Sequence, residues 1–261
     1  MTQTTWPLVE RKFGETTRRE FWWVQPLAVF LALSAFIVYA TWAAFQGDHY
    51  AFGPYLSPMY SPLLFGAEPH AWFGPKPAWW PGALPFSAAL LILWAPGGFR
   101  VTCYYYRGAY YKAFWADPPG CTVGEPRTSY WGERYFPLIL QNVHRYFLYL
   151  ALIFIVFLTY DAIVGFRFAD GIHVNVGSLL LAYNTAMLAS YTFSCHSLRH
   201  LVGGRKDEVS TNALRWTCYS ACSAMNRKHQ LFAWLSLFSV GFADLYVRLC
   251  SMGVWTDYRI L

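Results

Sequence analysis

Two cysteines and two histidines stand out in this chain because each lies in a different apolar segment. Cys103 lies in the second of these segments, His144 opens the third, Cys195 closes the fourth and His229 opens the fifth. Thiolate and imidazole are preferred ligands of transition metals, and an ionisable residue at membrane depth indicates function. The placement therefore predicts a metal centre held among helices, with His196 as the substitute ligand.

The composition places these ligands in a membrane. The chain has 261 residues, of which 56% are hydrophobic and only 13% are charged, which is too apolar for an ordinary soluble domain. An aromatic content of 20%, with 13 Trp, is typical of proteins with Trp and Tyr at membrane interfaces. The net charge of +6 does not indicate a nucleic-acid partner, because the basic residues fall in short segments between apolar runs.

Five apolar stretches are long enough to cross a bilayer, which takes about 20 residues. Each is predicted to be a helix, because backbone exposed to lipid must satisfy its own hydrogen bonds. The sequence thus predicts an all-α membrane protein, a single domain over residues 1–261 with a bundle of five transmembrane helices. The predicted spans are residues 21–45, 84–106, 144–166, 176–195 and 230–250.

The distribution of basic residues predicts the orientation. The N-terminal tail and the loops at 107–143 and 196–229 are basic, whereas the loop at 46–83 contains Lys76 alone. By the positive-inside rule the N-terminus is cytoplasmic, and an odd number of spans then places the C-terminus outside. The 46–83 loop is predicted to be a structured layer on the outer membrane surface, and residues 210–225 an amphipathic interfacial helix.

The second span contains Pro96, Gly97 and Gly98, which predicts a break in the helix. Non-helical backbone at membrane depth is tolerated where it lines a cavity or is buried in protein. One interpretation is a cofactor or quinone beside the break, and the other is a plain proline kink.

Two carboxylates, Asp161 and Asp244, lie in the predicted outer halves of the third and fifth spans. Intramembrane acids commonly mark proton paths. With Tyr160 and Tyr246 as hydrogen-bond donors, they are predicted to deliver protons to a bound quinone. The alternative is a structural ion pair between Asp244 and Arg248, one helical turn away.

Three kinds of centre fit two cysteines and two histidines. A Rieske-type [2Fe–2S] cluster takes thiolates on one iron and imidazoles on the other, and haem b takes two axial histidines. Structural zinc takes the same four ligands. The cluster ranks first, because it explains why thiols share the layer and needs less room than a porphyrin; haem b ranks second and zinc third.

Two stretches of the chain resemble the single large membrane-anchor subunit of actinobacterial-type succinate dehydrogenases, a cytochrome b-like subunit of respiratory complex II. They read FRVTCYYYR at 99–107 and YTFSCHSLRH at 191–200. The HRYF segment at 144–147 and the segment around His229 fit the same pattern. The resemblance covers nearly the whole chain and implies an electron-transfer subunit of a succinate:quinone oxidoreductase in a bacterial inner (plasma) membrane.

The resemblance also implies partners and cofactors. An iron–sulfur subunit would dock on the cytoplasmic face, with an FAD-containing flavoprotein subunit beyond it, and electrons from succinate would reach a quinone, with menaquinone as the expected species. Five-span anchors usually carry two haems on transmembrane histidines, whereas this chain lacks a histidine pair in its outer half. The alternative location of the quinone site is the inner face, near Trp22, Trp23, Arg100 and Tyr104.

Two other classes of function are disfavoured by the sequence. A non-redox transporter would show internal repeats and paired broken helices, but the chain has one predicted break and no repeat. A membrane diiron oxygenase needs several clustered histidine boxes, and only His196-x-x-x-His200 resembles one.

Overall fold

The part of the chain that the computed structural model describes, residues 21–83, 85–114, 135, 138–204 and 208–261, contains nine α-helices and two short antiparallel hairpins. The helices are α1 (Val24–Gln46), α2 (Ala89–Ile92), α3 (Trp94–Val101), α4 (Tyr104–Phe114), α5 (His144–Val164), α6 (Val176–Phe193), α7 (His196–Gly203), α8 (Ala213–Asn226) and α9 (His229–Ser251). The hairpins pair β1 (Ala51–Phe52) with β2 (Tyr55–Leu56) and β3 (Arg167–Phe168) with β4 (Gly171–Ile172). A 3₁₀ helix, Leu138–Val143, precedes α5.

Three helices within these described residues are long and apolar enough to cross a membrane: Val24–Gln46, Ile139–Val164 and His229–Ser251. They correspond to the first, third and fifth predicted spans. The fourth corresponds to α6, which has 18 residues and contains the fully buried Ser178 and Asn184. Because these polar side chains lower its hydropathy, α6 is not among the three helices that are long and apolar enough to cross a membrane.

The second predicted span, 84–106, differs most from the structure. It is divided among α2, α3 and α4, and the helices are interrupted at Leu93 and at Thr102–Cys103. The break predicted at Pro96 is wrong, because α3 runs through it and the Gly97 amide donates to the Leu93 carbonyl at 2.9 Å. Proline is tolerated there because it lies in the first helical turn, where backbone N–H groups have no intrahelical acceptor.

The packing divides the chain into two units, one of residues 1–35 and 101–143 and the other of residues 36–100 and 144–261. In the first unit, the rings of Phe30 and Phe114 meet at 4.9 Å. In the second, α6 packs against both α5 and α9. One core cluster of this second unit joins α1, the 55–63 segment and α2: Ala43, Ala44, Leu56, Met59, Tyr60, Leu63, Ala88 and Ala89.

The 46–83 loop enters the second unit instead of lying only on its surface. Every residue from 55 to 63 is buried. Ser57 donates to the Asp244 carboxylate of α9, and Ser61 donates to the Asp161 carboxylate of α5. The prediction of a surface layer is therefore wrong for this segment. Its hydroxyl groups supply the donors that buried carboxylates require.

Candidate metal centre

The ends of α5 and α6 bring two of the four predicted ligands into contact. His144 is the first residue of α5, and Cys195 is the extended residue that caps α7 after α6 has ended. The His144 Nε2 atom lies 3.1 Å from the Cys195 Sγ atom. The two residues are 8% and 2% exposed, so an imidazole and a thiol meet in a layer closed to bulk water.

Aromatic rings fill the space between His144 and His229. Phe99 stacks on the His144 ring, with centroids 4.6 Å apart and planes 6° apart. Tyr191 stacks on the His229 ring at 5.1 Å and 16°. The Phe99 and Tyr191 rings meet edge to face at 5.4 Å. The two imidazoles thus belong to one aromatic layer, to which α3, α5, α6 and α9 each contribute a ring.

A hydrogen bond orients the ring of His229. The His229 Nδ1 atom lies 2.7 Å from the Ser194 hydroxyl. The Asn226 side chain donates to the Ser194 carbonyl at 2.7 Å, which ties this turn to the end of α8. In metal-binding histidines, a hydrogen bond at one ring nitrogen fixes the orientation of the ring and leaves the other nitrogen for the metal. Because the Nδ1 atom of His229 is hydrogen-bonded, Nε2 is the atom that would face a metal.

Cys103 is buried, with 3% exposure, but it belongs to the unit formed by residues 1–35 and 101–143. Within the described ranges, no three His, Cys, Asp or Glu side chains form a group that could hold a metal ion. The four-ligand centre therefore stays a prediction. The donor chemistry of the contacting pair fits it, because a buried imidazole and a buried thiol are ligands that suit iron.

The substitute ligand His196 lies outside this layer. Its side chain is exposed, and its Nε2 atom lies 3.0 Å from Nε2 of His200, which is also exposed. Partial burial, together with the charges of His200 and Arg199, lowers the pKa of His196 below its ordinary value. The structure thus pairs His196 with His200 and not with His144.

Asp244 forms a closed network with Arg248. Its carboxylate accepts from the Arg248 Nε–H at 2.8 Å, and the two side chains are 0% and 1% exposed. Tyr39 donates to the same carboxylate at 2.6 Å, and Arg248 also donates to the carbonyls of Asp48 and Ala43. This geometry favours the structural ion pair over proton delivery for Asp244.

Asp161 is bound differently from Asp244. It is 8% exposed, accepts from Ser61 and forms no ion pair within the described residues. Its neighbour Tyr160 is 54% exposed, and the Tyr160 ring lies against Trp72. The two acids predicted to share one role therefore have different surroundings.

Tyr246 binds a third carboxylate, Asp257, which the sequence analysis did not single out. It donates to Asp257 at 2.7 Å, as do Tyr55 at 2.6 Å and Asn175 at 2.8 Å. Burial raises the pKa of Asp257, but the hydrogen bonds from Tyr55, Asn175, the Gly177 amide and Tyr246 outweigh burial and hold the pKa below its usual range. Tyr246 thus anchors the segment that follows α9.

The alternative quinone site is divided between the two units. Arg100 lies in the larger unit, where it donates to the Ala233 carbonyl at 3.3 Å and to the Ser236 hydroxyl at 3.0 Å. Its guanidinium also lies over the Tyr191 ring, 4.8 Å from the centroid. Trp22, Trp23 and Tyr104 belong to the other unit, where Trp23 is 48% and Tyr104 69% exposed.

A cavity of about 180 Å³ lies beside the aromatic layer, within the larger unit. Its walls come from α1, the 58–59 segment, α3, α5, α6 and α9, and they are apolar except near Arg100, Tyr191 and Thr192. Phe99 and Tyr191 line it at the layer, and Leu158, one helical turn before Asp161, lines it in the second half of α5. Sequence reasoning missed Phe99, Tyr191 and Ser194 as parts of the site, although all three lie in the two motifs at 99–107 and 191–200.

Comparisons with known proteins agree with this architecture. A family model described as actinobacterial succinate dehydrogenase subunit SdhC matches residues 24–253. The chain belongs to this family. A chain of the Mycobacterium smegmatis Sdh1 complex in the apo form has 40% sequence identity and a TM-score of 0.84, with 94% of both chains covered. A comparison with curated protein sequences found no match.

Membership confirms the resemblance carried by the two motifs. The chain is a membrane subunit of an actinobacterial-type succinate dehydrogenase complex and assembles with other subunits of that complex. As an SdhC chain, it contributes the apolar helices α1, α5 and α9.

Proposed function

We propose that this chain anchors succinate dehydrogenase in the bacterial plasma membrane and carries electrons from the iron–sulfur subunit to quinone. The observation that supports this most directly is the 3.1 Å approach of His144 Nε2 to Cys195 Sγ in a buried layer of an SdhC chain. Cys103 and Cys195 would supply the thiolates, and His144 and His229 the imidazoles. A Rieske-type [2Fe–2S] cluster bound there would supply one-electron transfer, and imidazole ligation raises the reduction potential of such a cluster.

The proposed topology places this layer where the partner docks. In a five-span bundle with the N-terminus in the cytoplasm and the C-terminus outside, α2–α4 form the second crossing and α6 the fourth. The start of α5, the end of α6 and the start of α9 then lie on the cytoplasmic side. His144, Cys195 and His229 would therefore face the iron–sulfur subunit, with the FAD-containing flavoprotein beyond it and basic segments that bind anionic lipids nearby.

Haem b on the same histidines is the second candidate for the centre. Its support is the presence of two imidazoles in one layer, since two axial histidines hold haem b. The rings of Phe99 and Tyr191 lie between His144 and His229, so both rings would have to move before the two imidazoles could share one iron in either centre.

Spectra of the purified complex test the centre. A reduced-state EPR signal with a low average g value, together with iron in excess of the clusters of the soluble partners, is the expected result. Sharp optical bands of reduced haem would instead favour the second candidate. A complex with neither signal would contradict a redox role for this subunit.

The cavity supports a quinone head group placed deeper than the centre. The cavity measures about 180 Å³, which is less than the about 300–1,000 Å³ of typical cofactor pockets. It therefore suits the ring of a quinone such as menaquinone alone, with the tail in lipid. Arg100 would hydrogen-bond a quinone oxygen. Asp161 is the better proton donor of the two predicted acids, because Leu158, one turn earlier, lines the cavity whereas Asp244 is paired with Arg248.

Filling the cavity tests this placement. Leu158→Trp should lower quinone reduction by about tenfold or more, because the indole occupies the space of the head group, while succinate oxidation with a soluble dye stays unchanged. Val156→Trp is the matched control, since Val156 lies on the same helix and is 68% exposed. Equal quinone reduction by the two variants would show that the head group binds elsewhere.

A further inference from the structure

The exposed pair of histidines on α7 has a geometry that the proposed function does not use. His196 and His200 are one helical turn apart, and their Nε2 atoms approach to 3.0 Å. Their ring planes are 77° apart, and both side chains are exposed. We propose that this pair is a surface chelate for a borderline divalent transition metal ion such as Zn²⁺ or Ni²⁺.

The separation of the nitrogen atoms matches two ligands on one ion. Imidazole nitrogens bind Zn²⁺ at about 2.0–2.1 Å, so two of them in neighbouring coordination positions lie about 3.0–3.4 Å apart. The distance of 3.0 Å between the two Nε2 atoms is at the lower end of this interval. The ion would need no backbone movement, and water would complete its coordination.

The surroundings select the class of metal. Arg199 lies between the two histidines in sequence, but its Nη2 donates to Tyr219 at 2.8 Å and its guanidinium stacks on that ring, so its charge is held toward α8. In the described part of the chain, no third His, Cys, Asp or Glu joins the pair. Mg²⁺ and Ca²⁺ require oxygen ligands, whereas imidazole suits Zn²⁺, Ni²⁺ and Cu²⁺.

The position of the pair connects the surface with the buried layer. Cys195 is the N-cap residue of α7, and His196 is the first residue of that helix. An ion that bridges positions 196 and 200 would lock the first turn of α7. Metal at this surface would therefore stabilise the turn that presents the Cys195 thiol to His144.

Zinc binding by the purified complex tests the inference. Equilibrium dialysis against Zn²⁺, with zinc and iron measured together, should show one more zinc ion per chain in the wild type than in His200→Asn, and an affinity at least about tenfold weaker in the variant. The double variant H200N/L201H keeps the number of histidines but places them five residues apart, off one helical face, and should also lose the ion. His173→Asn is the control, because His173 precedes α6 and pairs with Asp170, and should keep it.

Three results would overturn the inference. The first is equal zinc binding by the wild type and His200→Asn, and the second is retention of the ion by H200N/L201H. The third is loss of iron together with zinc in His200→Asn, which would assign the pair to the buried centre. The expected result requires unchanged iron in every variant, so it does not depend on which centre the complex carries.

Discussion

Replacing His144 by Ala is expected to lower succinate:quinone reductase activity by at least about 100-fold, while succinate oxidation with a soluble dye continues. The reason is that His144 contacts Cys195 at 3.1 Å and would supply an imidazole to the proposed centre. Loss of groups that merely orient metal ligands already costs about 10–100-fold, so loss of a ligand should cost at least the upper value. The ratio of quinone to dye activity in the purified complex measures the effect.

Tyr146→Ala is the control for this variant. Tyr146 lies two residues further along α5 and is 67% exposed, so its removal changes the same helix without touching the buried layer. The proposed path fails if His144→Ala, assembled with its partner subunits, reduces quinone at a rate within threefold of Tyr146→Ala.

Breaking the Asp244–Arg248 pair should cause the largest loss of stability among the variants proposed for this chain. Asp244→Asn or Arg248→Met alone leaves the other group buried without its counterion, which costs about 3–5 kcal/mol. The double variant D244N/R248M removes both charges and should recover part of this loss, because neutral replacement of a buried pair is often tolerated. Thermal unfolding of the complex in detergent gives the three values and the coupling energy between the two positions.

An exposed pair in the same chain provides the comparison. Arg259 and Asp170 lie 3.6 Å apart with side chains 56% and 68% exposed, and exposed pairs contribute about 0–1 kcal/mol. Arg259→Met should therefore lower stability by no more than that. If Asp244→Asn instead abolished quinone reduction without lowering the unfolding temperature, Asp244 would deliver protons as the sequence predicted.

The membrane helices illustrate what periodicity and hydropathy can predict. Residues 21–45, 144–166 and 230–250 were predicted as spans, and α1, α5 and α9 match them within a few residues. The region 84–106 could not be predicted in the same way, because a proline in the first turn of a helix and a proline that ends a helix look alike in sequence. Only the structure shows that α2 ends at Ile92 and that α3 begins at Trp94, which places Pro96 in the first turn of α3.

The surroundings of the buried acids depend partly on partners distant in sequence. The buried 55–63 segment supplies one hydroxyl donor to each acid, Ser61 to Asp161 and Ser57 to Asp244. Arg248, which the sequence already offered as a partner one turn away, separates the two acids by pairing with Asp244. Contacts between residues about 100 to 200 positions apart leave no local sequence pattern. The Pro- and Gly-rich loop at 46–83 is therefore predicted from sequence to lie at the surface.

The sequence by itself determined the long apolar helices and the family, because apolar run length and two motifs are local properties of the chain. Tertiary structure decided which of the candidate ligands meet. It placed His144 against Cys195, put Phe99 and Tyr191 between two imidazoles, and left His196 on the surface with His200. The physical reason is that helix ends converge through packing between α5, α6 and α9, and the direction of a side chain at a helix end is set by that packing and not by the residue's position along the chain.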